Sequence, residues 1–429
     1  LPAPCWTPFE HRLIARHTTG FTMDFSLDDD DLALRNAVQR FCDGEYPAPT
    51  RGDAETDALA MQRRKAMAQL GLLGLTFDVD HGGSQQGAVH VMLVAQELGR
   101  ALAGGVFVAS TVMAGQLLAK LGTPQQTARW LPALATGDSL AALAVYEDGS
   151  RYAWHVTQTQ AVATPQGYLL NGRKTLVLRG DSADLLLLVA RTSGATSSRE
   201  GLTVFAVEAN APGVQLQPFD TLDGRRAAHI TFTNVAVGQD RVLGAQGGIG
   251  TAADAVEAAL DAGNAALCAE AVGAVQALLA QTAEHLRTRR QFGAPLAKFQ
   301  VLQHRIADMA IALEQIKSMA CAAAMAVEEG SPQQRRRLVS AAKVLVSQQG
   351  RKLALDAIQM HGAMGMTQEC RISHYARRLL VIGQELGDAA WHLERMGAAS
   401  TSRQHGLRVE PAMTALGVIP DLIRDPCLE

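Results

Sequence analysis

The sequence predicts an α+β chain in three successive segments: helical, then β, then a bundle of four helices. Three observations predict it. Apolar residues recur at helical spacing up to residue 139. Short strand-like runs separated by turn residues fill 140–245. From 246 to 398, long alanine-rich helical stretches return with no second set of strands.

Residues 1–22 read as an extension. They lack an initiator Met and the apolar core of a signal peptide, and the regular pattern begins at Met23. Residues 23–139 read as helices. Leu32, Leu34, Val38 and Phe41 share one helical face, and "RRKAMAQLGLLGLTF" and "AVHVMLVAQELGRALA" repeat the pattern. Breaks are expected at "DVDHGGSQQG" and "LGTPQQ", where Thr123 and Pro124 read as an N-cap followed by proline at the first helical position.

Within 140–245, "QAVAT", "YLLNGRKTLVL", "ADLLLLVART", "LTVFAVEA" and "AHITFTNVAV" read as strands of a β domain. Within 246–398, the stretch from Ala252 to Phe292 reads as one very long helix. A second begins after Pro295 and a third ends at Gly362. Frequent Ala and Gly would let these helices approach one another, and sister chains, closely. The tail, 399–429, is punctuated by Gly and Pro and loses the helical period.

Composition narrows the function. The chain has 429 residues, 48% of them hydrophobic, and a formal net charge of −3. No long basic face offers itself to nucleic acid, and no apolar run approaches the length needed to span a bilayer. Six scattered cysteines, Cys5, Cys42, Cys268, Cys321, Cys370 and Cys427, form no C-x-x-C pair. Reduced thiols and a cytoplasmic location are therefore expected, with no metal site.

Two motifs carry chemistry. In "RTRRQFGAPLAKFQ", Arg287, Arg289 and Arg290 crowd together ahead of Gln291, Phe292, Gly293 and Pro295. Arginines near a helix C-terminus stabilise the negative end of its dipole. Their planar forks also match phosphate oxygens, with Gln291 adding donors and Phe292 a flat face for a heterocycle. In "QMHGAMGMTQE", Gly362 and Gly365 end a helix. They cap it, or they leave backbone N–H groups open to a ligand.

With these motifs the chain resembles the acyl-CoA dehydrogenase family from Met23 to Met396. The resemblance rests on "RRQFGAPLAKFQVLQHRIADM", "QMHGAMGMTQE", "YLLNGRKTLVLRGDSADLLLLVAR" and "FTNVAVGQDRVLG". It implies FAD held between the β domain and the C-terminal bundle, with part of the cofactor site supplied by a neighbouring subunit. Arg289 would pair with the diphosphate, Gln291 would help bind it, and Phe292 would pack near the nucleotide. Gln359, Gly362 and Gly365 would contact the adenosine side. Ala363 stands where the family has a second glycine. "ISHYARRLLVIGQELGDAAWHLERM" is most similar to the small subunit of pimeloyl-CoA dehydrogenase and related two-chain enzymes.

The resemblance also implies a carboxylate base that removes an α-proton while the flavin takes hydride from the β-carbon. The two positions that carry this Glu in the family are Leu386 and Gly263 here. Asp261, Glu385 and Asp388 lie nearby as weak candidates, with Asp388 also placed to cap or bridge the last helix. The flavin-side Trp and Thr are replaced by Leu176 and Leu178, and a flavin-loop Thr by Tyr146. His361 and His374 flank the last motif, where a backbone carbonyl is the expected partner of His361.

Three functions compete. The first is an FAD-dependent acyl-CoA dehydrogenase subunit, homo-oligomeric or paired with a second acyl-CoA dehydrogenase chain. It would turn an acyl-CoA into its trans-2-enoyl-CoA and pass electrons to an electron-transfer flavoprotein. The second is a non-catalytic structural subunit of such a heteromer. The third is a flavin oxidase or monooxygenase on the same fold.

Overall fold

The computed structural model describes residues 27–46, 57–244 and 249–401, with side chains up to 398. The extension expected at 1–22 lies outside the described residues, as does the tail beyond 401. Helix α1 (Asp29–Glu45) is closed by a reciprocal capping box between Asp28 and Asp31. It is followed by α2 (Asp57–Gln69) and α3 (Ala88–Arg100). A π-helical stretch, Phe107–Gly115, runs into α4 (Gln116–Leu121), and α5 (Pro124–Ala135) completes the segment. As the sequence suggests, Thr123 caps α5 and Pro124 occupies its first turn.

The β domain holds β1 (Ala141–Ala144), β2 (Gln160–Thr164), β3 (Gly167–Leu178), β4 (Leu185–Arg191), β5 (Leu202–Glu208), β6 (Val214–Asp220), β7 (Arg226–Gly238) and β8 (Val242–Leu243). They form one sheet in the order β6-β7-β3-β2-β4-β5-β8, with β1 beside β4. Sequence reading missed the two-residue β8, and also β1 and β6. Strand β1 is four buried residues without alternation, and β6 is an edge strand exposed along most of its length. Every residue of β4 is buried. Leu185, Leu187 and Val189 join the core shared with the helices, while Leu186, Leu188 and Ala190 join a second core on the other face.

The bundle comprises α6 (Ala253–Thr288), the hairpin β9 (Arg290–Gln291) and β10 (Ala294–Pro295), α7 (Gln300–Glu328), α8 (Pro332–His361), α9 (Arg371–Ile382) and α10 (Ala389–Thr401). Helix α7 starts five residues after Pro295 because the hairpin and a short 3-10 turn, Leu296–Lys298, intervene. Helix α10 runs three residues into the stretch expected to be tail. Glycine allows α3 and α6 to cross at backbone distance: a Cβ on Gly99 would lie 2.0 Å from the Glu270 carbonyl oxygen, and one on Gly273 would lie 1.8 Å from that of Gln96.

One expectation is corrected here. Both α6 and α7 are long and apolar enough, by length and composition, to cross a bilayer. Interspersed polar residues hid this in the sequence. The apolar stretch of α6 is 83% buried and so belongs to the core, whereas that of α7 is 39% buried and half of it faces outward.

Candidate functional site: an exposed cationic turn and a closed pocket

The two sequence motifs meet at one end of the bundle. Arg289 ends α6 in extended backbone, its N–H donating to the His285 carbonyl at 2.8 Å. The chain then turns through Phe292 (φ 55°) and Gly293 (φ 77°), two left-handed residues in a two-residue hairpin. The Phe292 ring at its tip is 89% exposed and sits edge to face with Phe299, with centroids 6.0 Å apart. Arg287 is taken by Glu284 at 2.6 Å. Arg289 and Arg290 are exposed and form no ion pair among the described residues.

Opposite them, α8 ends at Gly362, whose φ of 64° and ψ of −146° demand glycine, and whose missing Cβ would face open space. Gln359 and Ala363 are exposed beside it, with Met364 and Met366 further along. Gly365 is different. It is buried, and a Cβ there would lie 2.9 Å from the Ile358 carbonyl oxygen, so it packs the turn itself. His285 and His361 stack face to face, 4.3 Å between centroids, and join the two motifs. His361 Nδ1 donates to the Ala357 carbonyl at 2.9 Å, as expected, and His374 bonds the Gln368 carbonyl.

The two positions aligned with the family's base also meet, deep in the chain. A Cβ on Gly263 would lie 3.0 Å from Leu386 Cδ1 and 2.6 Å from Met113 Sδ. Leu386 is buried and left-handed, at φ 58°. Three helices grip its strained turn. Lys343 Nζ donates to the carbonyls of Glu385 (2.5 Å) and Gly387 (2.8 Å), Asn264 Nδ2 reaches that of Leu386 (3.3 Å), and His392 packs against Gly387. Burial lowers Lys343 to about 8. Burial, with Lys343 and Arg395 nearby, lowers His392 to about 2. The adjoining cavity, lined by Val91, Met92, Val112, Ala262, Ala265 and Ala266, has room for about one water.

Each candidate acid is already engaged. Asp261 lies 3.0 Å from Arg335 Nε and 2.7 Å from Arg395 Nη1. Asp388 accepts from the Trp391 N–H at the start of α10 and from Arg151 Nη2 at 3.0 Å, so it both caps and bridges. Glu385 accepts from Arg378 Nη1 at 2.8 Å. Tyr146 and Leu178 pack against the helical core, and burial raises the Tyr146 hydroxyl. Leu176 is partly exposed.

Sequence reading missed the arginines that neutralise this region. Arg378 is fully buried among Glu270 (2.7 and 2.8 Å), Asp223 (2.9 Å) and Glu385, and Arg225 reaches Glu270 from the β6–β7 turn at 2.5 Å. Burial alone would raise the Glu270 carboxyl, but Arg225 and Arg378 outweigh it and hold it down to about 2. Glu257 likewise collects Arg336, Arg199 and Arg395 and is held to about 2 against its burial. Glu257 and Asp261, one helical turn apart on an alanine-rich helix, were the legible signal that α6 carries an internal charged stripe.

Three family descriptions match in chain order: "Acyl-CoA dehydrogenase, N-terminal domain" over 28–138, "middle domain" over 142–235 and "C-terminal domain" over 251–403. The probable acyl-CoA dehydrogenase YngJ of Bacillus subtilis is 26% identical over 385 residues, covering 87% of this chain and 98% of its own. Butyryl-CoA dehydrogenase from Megasphaera elsdenii superposes with a TM-score of 0.81 at 25% identity, covering 88% of this chain and all of its own. The ChsE4–ChsE5 complex from Mycobacterium tuberculosis gives 0.76 at 25% identity, covering 88% and 99%.

Proposed function

The chain belongs to the acyl-CoA dehydrogenase superfamily, and on that premise we propose that it is a subunit of an oligomeric FAD-dependent acyl-CoA dehydrogenase whose base comes from a second chain. The observation that carries this reading is the closed junction of Gly263, Leu386 and Met113. Neither position offers a carboxylate, and even a methyl group on Gly263 would meet Leu386 and Met113. Asp261, Glu385 and Asp388 are each already paired with an arginine.

The exposed end fits the dinucleotide. Arg289 and Arg290 supply cationic forks with no ion pair among the described residues, Gln291 and Gln359 supply amides, and Phe292 supplies a solvent-facing ring, as a diphosphate beside an adenine requires. These groups point away from their own chain, which suits a cofactor seated in a neighbour. FAD, when bound, supplies the hydride acceptor for α,β-dehydrogenation of an acyl-CoA to the trans-2-enoyl-CoA. An electron-transfer flavoprotein is the proposed outlet for the electrons. The two-chain arrangement, with a likeness to the small subunit of pimeloyl-CoA dehydrogenase, and a cytoplasmic location are parts of the same proposal. The half-exposed α7 offers a face for the second chain.

Flavin content tests the reading. The chain purified alone should carry well under one FAD per chain, and an acyl-CoA should not bleach the flavin spectrum. One FAD per chain in a homo-oligomer, bleached by an acyl-CoA, would overturn it.

A further inference from the structure

The two halves of the exposed cationic end come from different helices, and only the turns of α6 and α8 that carry His285 and His361 bring their rings together. The rings lie 4.3 Å apart at an interplanar angle of 25°. Because His361 Nδ1 donates to the Ala357 carbonyl, its Nε2 is the nitrogen that can take a proton. His285 stands one turn before Arg289, whose N–H it accepts through its carbonyl.

We propose that this imidazole pair is a proton-responsive positioning element of the dinucleotide clamp, which stacks the two turns in register and gains one positive charge beside Arg289 as the pH falls. The inference rests on the cofactor role proposed for Arg289. A diphosphate diester keeps its negative charge throughout the imidazole range, so the added cation strengthens its binding and proton uptake accompanies cofactor uptake.

The surroundings agree. Burial, then His361 and then Arg289, lower His285 from the ordinary imidazole value, so an arriving anion offsets the cost of charging it. Charged groups on the adjoining elements include Glu284, engaged by Arg287 on α6; Arg290 on the hairpin; Lys298 before α7; Asp308 on α7; and Arg351, Lys352 and Asp356 on α8, the last 3.9 Å from Arg305 of α7. Glu284 and Asp356 thus each already face an arginine. Only one proton is expected, since a second on the facing ring would be repelled.

The assembled protein, stripped of flavin, is titrated with FAD by fluorescence quenching at about pH 8 and about pH 5.5. Wild type should bind roughly two- to fivefold more tightly at the lower pH, the size of one partly exposed ion pair. The double variant His285→Phe/His361→Phe keeps two flat rings and should lose the gain in acid, whereas His285→Ala should bind more weakly at both. Affinity that is flat or falls in acid, or a double-Phe variant that keeps the gain, overturns the inference. If Arg289→Ala still weakens FAD in that event, the clamp itself survives. If Arg289→Ala changes nothing, the clamp and the inference fail together.

Discussion

The two ends of α6 treat charge in opposite ways. At its C-terminal end, Arg289 and Arg290 stand in solvent with no partner among the described residues, beside an exposed aromatic ring. Along its buried length, Glu257, Asp261 and Glu270 are each met by two or more guanidinium groups from other elements. A buried charge must be paired within the fold, because leaving it unpaired costs several kcal/mol. A free charge on a rigid turn costs little and remains available to something outside the chain. The contrast separates a region that serves the fold from one proposed to serve a ligand, and it does so along a single helix and the turn that ends it.

The largest effect is expected where the pairing is tightest. Arg378→Met would remove the arginine from Glu385 and leave Glu270 and Asp223 with Arg225 alone, and should cost about 3–5 kcal/mol in denaturant unfolding. A loss below about 1 kcal/mol would mean that the cluster does not fasten the β6–β7 turn to the bundle. Glu270 also fixes the sign of the acid response. Its folded carboxyl lies below the unfolded value of 4.5, so its contribution is complete above that pH and disappears as the pH falls towards about 2. Wild-type stability should therefore decline through that window, and Glu270→Gln should flatten the decline.

Next in size is the free end. Arg289→Ala should leave thermal stability within about 0.5 kcal/mol while weakening FAD retention by about 1.5–3 kcal/mol, the worth of hydrogen bonds to a charged group. A variant that lost stability and kept its flavin would reverse the contrast.

Two glycines sharpen it further. Gly263→Ala should destabilise by about 1–3 kcal/mol, because the new methyl meets Met113 and Leu386. An open pocket would instead give a gain of about 1 kcal/mol from helix propensity, so the sign of the change reports whether the pocket is closed. Gly362→Ala meets no atom within 4 Å, and its cost, about 1 kcal/mol in urea unfolding, should come from the left-handed backbone alone.

Much of the fold could be read from periodicity. The capped start of α5, the strands β2, β3, β4, β5 and β7 and the single long α6 appear where their patterns place them. β1 and β6 were hidden because one is too short to alternate and the other is an edge with little to bury. The motif residues Arg289, Gln291, Phe292, Gln359 and Gly362 were legible because clustered arginines and helix-ending glycines are local features. Arg378 and Lys343 were not. A buried Arg and a buried Lys look like solvated ones until partners 42 to 155 residues away in sequence are brought to them. His285 passed unnoticed for the same reason, as its stacking partner is on α8.

The sequence by itself determined the order of helical and β segments, the absence of an acidic side chain at positions 263 and 386, and a cationic stop at the end of α6, since each depends on residues near one another in the chain. Only the tertiary structure decided that Gly263 and Leu386 close on each other, that Asp261, Glu385 and Asp388 are neutralised, and that two helix ends join through stacked imidazoles. Pairing of buried charge and filling of buried space depend on which distant side chains arrive at a site. Local pattern carries no information about that arrival.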